Sequence, residues 1–150
     1  MRRLALTTLA ALGLTLTACT PEPPEVTFFA AGETVRLSPT DTCNGEIEEC
    51  KPTGNLAVPG GKPLNISVPS QVAKSPWVVV FKFRAADGSE QKARSTIFKA
   101  NERYAYTLTL PTAGDQLLHV EVQRIEGIAA DPTQGLTYQT NPVWSLNISQ

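Results

Sequence analysis

A side-chain period of two constrains this chain more than any other feature. From Trp77 to Arg84, residues Trp77, Val79, Phe81 and Phe83 fall on one side of an extended backbone, and Val78, Val80, Lys82 and Arg84 on the other. The alternation recurs in Leu64 to Val68, Tyr104 to Leu110, Leu118 to Gln123 and Trp144 to Ile148. No stretch of ten residues carries the 3.6-residue apolar spacing of an amphipathic helix. An alternating strand has one face to bury and needs an opposing layer, so the pattern predicts an all-β protein.

From about residue 55 onward, strands are expected near Leu56, Leu64, Trp77, Ala93, Tyr104, Leu118 and Trp144. Seven short strands in roughly 100 residues, with a tryptophan on the third, predict an immunoglobulin- or fibronectin-like antiparallel β-sandwich over 55–150. A small β-barrel satisfies the same periodicity. Trp77, Phe81, Phe83, Tyr106, Leu108 and Trp144 are the core candidates. Val26 to Phe29 and Thr34 to Leu37, joined by Ala31-Gly32-Glu33, read as an N-terminal hairpin extension. With the cysteine loop that follows, it makes a segment over 26–54. Gly127 to Gly135 reads as a loop.

One register follows from charge. A three-residue turn on Ala86-Asp87-Gly88, with Gly88 left-handed, pairs Arg84 with Glu90. A two-residue turn on Asp87-Gly88 would send Lys92 and Arg94 to the buried side, which the cost of burying charge forbids. Lys82, Arg84, Lys92 and Arg94 are therefore expected on one outer face, a candidate contact for an anionic partner. An ordinary solvated sheet face, partly compensated by Glu90, accounts for the same residues.

The N-terminus predicts where the protein works. Arg2 and Arg3 precede an apolar run from Leu4 to Ala18, too short for a bilayer span of about 20 residues. The run ends in Leu16-Thr17-Ala18-Cys19, which resembles the lipobox of bacterial lipoproteins. That resemblance implies a signal peptide over 1–18 and lipidation of Cys19, which becomes the new N-terminus. The mature chain would have 132 residues and a formal charge of −3. The acyl chains would be its membrane anchor. Thr20 to Glu25, with three prolines, completes a tether over 19–25 with a reach of about 20 Å. The expected location is the outer face of the cytoplasmic membrane, within the cell envelope.

With Cys19 acylated, Cys43 and Cys50 remain as an even pair in an oxidising compartment and are expected to form a disulfide. Redox-active pairs are more usually spaced as Cys-x-x-Cys, and a zinc site would need two further Cys or His ligands that the sequence lacks. Asp41, Asn44, Glu46, Glu48 and Glu49 offer hard oxygen ligands around the pair, but without an EF-hand register they read as a solvated loop. No metal or cofactor is expected.

Catalytic patterns do not emerge. His119 is the one histidine, and on a strand with Leu118, Val120 and Val122 inward it reads as a surface residue. There is no Gly-x-Ser-x-Gly, no His-Glu-x-x-His and no glycine-rich phosphate loop. Residues 51–103 carry nine bases and three acids, whereas 20–50 and 104–150 are acidic. The formal charge of −1 over the whole chain argues against nucleic-acid binding.

Several of these segments together resemble a known family. They are the lipobox, the Cys43/Cys50 loop, Leu64-Asn65-Ile66-Ser67-Val68-Pro69, Pro76-Trp77-Val78-Val79, Arg103 to Leu108 and Asp115 to Gln123. The family is that of small actinobacterial lipoproteins carrying domain of unknown function 2771. The resemblance implies an actinobacterial envelope and brings no activity or catalytic residue. The expectation is a non-enzymatic interaction module contacting an envelope protein, polymer or anionic lipid. A carrier of a lipid or small hydrophobic ligand between the sheets is the alternative.

Overall fold

A computed structural model describes residues 20–40, 43, 50–133 and 135–150. The strands are β1 (Val26–Ala30), β2 (Glu33–Leu37), β3 (Gly54–Ala57), β4 (Leu64–Ser67), β5 (Trp77–Arg84), β6 (Glu90–Arg94), β7 (Ala105–Leu108), β8 (Gln116–Asp131) and β9 (Gly135–Ser149). A single helical turn, α1 (Ser70–Ala73), follows Pro69.

Two sheets form, in the orders β2-β1-β4-β7 and β3-β9-β8-β5-β6. They make a sandwich; among the described residues no closed barrel forms. The strands β1, β4 and β7 facing β9, β8, β5 and β6 follow the immunoglobulin-like arrangement, with Trp77 opening β5 in the second sheet. The edge strand β3 runs parallel to β9. All seven strands expected after residue 55 are present as β3 to β9.

The N-terminal hairpin is part of the sandwich and not an extension of it. β1 lies between β2 and β4, and Val26, Phe28 and Ala30 are buried. Local alternation reports that a strand has a face to bury but not which sheet receives it, and so the hairpin's place was hidden. Gly54 shows how closely the first two strands approach β3: a Cβ there would collide with the Leu37 side chain.

Trp77, Trp144, Phe28, Leu64, Ile66, Leu108 and Leu146 are fully buried between the layers. Phe98 packs on Trp77, ring centroids 4.5 Å apart, and links it to the partly buried Tyr106. Trp144 Nε1 donates to the Pro24 carbonyl at 2.9 Å. At the other end of the second sheet, Asp115 accepts from Thr112 Oγ1 at 2.7 Å and from the amides of Thr112 and Ala86. These donors, Thr112 first, hold its carboxyl below the usual carboxylate range.

Two readings change. A β-bulge falls where Lys82 faces His119 and Phe83 faces Leu117, so Leu118 is the extra residue. Leu117, not Leu118, therefore joins Val120 and Val122 in the core. The stretch from Gly127 to Gly135 is not a loop but the end of the β8–β9 hairpin, with pairing as far as Asp131 and Gly135. β5 pairs only as far as Arg124, so this arm continues as a two-stranded ribbon, with Ile128 and Leu136 exposed. Strand without a partner layer leaves little apolar signal in sequence.

Candidate functional site

The register of β5 and β6 is the one charge demanded. Arg84 pairs with Glu90, Lys82 with Lys92 and Val80 with Arg94, with Gly88 at φ +88° in the turn. Lys82, Arg84, Lys92 and Arg94 thus share the outer face of the second sheet. Glu90 lies between two of them, 2.8 Å from Lys82 Nζ and 3.3 Å from Arg84 Nη2. Lys82 and then Arg84 hold the Glu90 carboxyl below its ordinary value. Arg94 lies over the Tyr138 ring, 5.8 Å from its centroid.

Beside these cations the outer face is not open to solvent. Cys43 and Cys50 form a disulfide, with Cα atoms 4.9 Å apart. The chain on both sides of it is fastened to β9. Thr40 N donates to the Val143 carbonyl at 2.8 Å and Thr53 N to the Ser145 carbonyl at 3.0 Å. The cysteine segment is thereby held against the sheet, and Cys50 is itself buried. Cys19 and the oxygen-bearing residues Asp41, Asn44, Glu46, Glu48 and Glu49 lie outside the described residues.

Beneath the disulfide, β8 presents His119, Glu121 and Gln123 in succession on one face, and β9 presents Ser145 opposite Glu121. Glu121 and Ser145 have no solvent exposure. Gln123 Nε2 donates to Glu121 Oε2 at 2.7 Å, and His119 Nε2 lies 3.1 Å from Glu121 Oε1. His119 Nε2 is also 3.2 Å from Ser145 Oγ, which donates to the Cys50 carbonyl at 3.3 Å. A proton on Nε2 makes this a continuous chain of donors from imidazole to backbone. The two cysteine sulfurs and a Glu121 carboxyl oxygen all lie within 4.8 Å of one another.

His119 is therefore not the surface residue its strand parity indicated, its side chain being only 12% exposed. Parity assigns a face but not what covers it. Glu121 went unnoticed for the same reason. The signal in the sequence was three hydrogen-bonding side chains in a row, His119, Glu121 and Gln123, on a strand whose other face is apolar.

Between the disulfide segment and the cations lies a cavity of about 470 Å³. Cys50, Pro52 and His119 line one side of it, and Lys82, Arg84 and Glu90 another. It lies on the outer face of the sheet and meets the edge of the interlayer core at Ile148. Leu118, displaced by the bulge, and Ile148 give it an apolar contribution. The groove thus sets two cations, already paired to the Glu90 carboxylate, beside Leu118 and Pro52.

No solved structure matches this chain. Its relatives include an uncharacterized protein of Mycobacterium bovis and counterparts in two strains of Mycobacterium tuberculosis. Each is 26% identical over 135 residues, covering 85% of this chain and 79% of the relative. The profile of the family described as "Protein of unknown function (DUF2771)" matches residues 19–149. The chain belongs to the DUF2771 family.

Proposed function

We propose that this protein is a lipid-anchored, non-catalytic binding module of the cell envelope, and that it takes an anionic group of its partner into the groove over Lys82 and Arg84. The observation that carries this reading is the 470 Å³ groove, which sets both cations beside Pro52 and Leu118 on the outside of the sandwich. The lipobox at Cys19 and the short Pro-rich tether support a position close to the membrane surface. There each base adds about 1 kcal/mol of attraction to anionic headgroups.

The test mixes the full chain with anionic vesicles, zwitterionic vesicles and a soluble acidic polysaccharide, each at low and high salt. Binding to anionic vesicles alone identifies a lipid headgroup, and binding to the polysaccharide identifies an envelope polymer. Reversal of Lys82, Arg84, Lys92 and Arg94 to Glu should weaken attachment at least about tenfold. Glu90→Gln should strengthen it, because it removes the negative charge that lies beside both cations. Wild-type association with neither anion, or association insensitive to salt, overturns the reading. For the anchor, Cys19→Ala should leave the precursor unprocessed or free it from membranes. Unchanged lipid labelling of that variant refutes lipidation.

A further inference from the structure

We infer that the Cys43–Cys50 pair has a second closed state: when reduced, its two thiolates join the Glu121 carboxylate in a site for a zinc-class divalent cation, and the neighbouring His119 imidazole swings toward the sulfurs to complete a tetrahedral set. Spacing in sequence offers two sulfurs and no further Cys or His nearby. The fold brings Glu121 of β8, about 70 residues later in the chain, within 4.8 Å of both sulfurs, while His119 stands beside Glu121 but outside that group. His119 and Glu121 stand two residues apart on one strand face, with Nε2 and Oε1 separated by 3.1 Å. Ligands at 2.0–2.3 Å from a tetrahedral zinc ion lie roughly 3.3–3.8 Å from one another. The sulfurs and the Glu121 oxygen, already within 4.8 Å, need to close by up to about 1.3 Å to meet that spacing. The two sulfurs, once unbonded, need to part to roughly 3.8 Å.

The surroundings fit a ligand set. Gln123 Nε2 holds the other Glu121 oxygen at 2.7 Å, the kind of outer hydrogen bond that orients ligating carboxylates. Thr40 and Thr53 pin the cysteine segment on both sides. Two thiolates and a carboxylate gathered where Glu121 and Cys50 are buried would be three like charges with little water to screen them. A divalent cation offsets that repulsion. Two soft sulfurs with one imidazole and one carboxylate favour zinc over magnesium or calcium. The route balances: an envelope dithiol delivers two electrons and two protons to the disulfide and itself becomes a disulfide. The metal ion then displaces both thiol protons and takes the Nε2 lone pair of an imidazole protonated at Nδ1.

The test uses the full chain carrying Cys19→Ser, so that no third thiol contributes, reduced and handled without oxygen. Cobalt(II) should bind one equivalent, with thiolate-to-metal charge transfer and the visible bands of a tetrahedral ion, and zinc should displace it. The oxidised chain should show neither signal. Glu121→Gln and His119→Gln should each weaken binding at least about tenfold, and Cys50→Ser should remove most of the charge-transfer intensity. Absence of those bands in the reduced parent overturns the inference. So does undiminished affinity in both β8 variants, since the thiolates alone would then hold the metal. If Glu121→Gln fails to fold, as near-ultraviolet circular dichroism would show, the partly exposed His119→Gln decides the matter.

Discussion

The two faces of β8 and β9 are both buried, but by different physics. Toward the other sheet, Val120, Val122, Trp144 and Leu146 are packed by shape, and burial of apolar area holds them there. On the opposite face, Glu121, Gln123 and Ser145 are just as inaccessible. They are tolerable there because each polar atom has a partner and the Cys43–Cys50 disulfide lies beside them. The first face is self-sufficient, whereas the second depends on its cover.

That contrast can be broken in graded steps, with stability read by denaturant unfolding. Trp144→Ala should have the largest effect, about 3–5 kcal/mol, since it empties the interlayer core and frees the bond to Pro24. A loss below 1 kcal/mol would mean that the core repacks freely. Opening the cover with Cys43→Ser/Cys50→Ser should cost roughly 2–3 kcal/mol. Glu121→Ala, which removes the carboxylate that Gln123 Nε2 and His119 Nε2 both reach, should cost about 1–3 kcal/mol. The two changes should be non-additive, because uncovering the face lets water reach the carboxyl. Additivity within about 0.5 kcal/mol would mean that the disulfide segment does not seal the acid. The smallest effect belongs to the arm: Ile128→Ser with Leu136→Ser should change stability by no more than about 0.5 kcal/mol, as both side chains already face solvent.

Legibility followed the same division. Where a side chain's fate depends on its own strand and the next, the sequence was enough: the β5–β6 register came out right because one alternative buried Lys92 and Arg94. The cysteine pairing was equally local. What escaped depended on distant chain. The bulge that exchanges Leu117 for Leu118 answers to packing across the sandwich. The burial of Glu121 requires a segment some 70 residues earlier in sequence, and the central place of β1 is a property of the sheet as a whole.

The bond between Trp144 and Pro24 has a mechanical consequence. Tension applied through the residues before Val26 does not peel away an outer strand. It enters at β1, which is hydrogen-bonded along both edges to β2 and β4, and it meets a tryptophan rooted in the opposite sheet. Force along the strand axis loads those bonds together, in shear, so the pairing of β1 on both edges shares any pull from the N-terminal side.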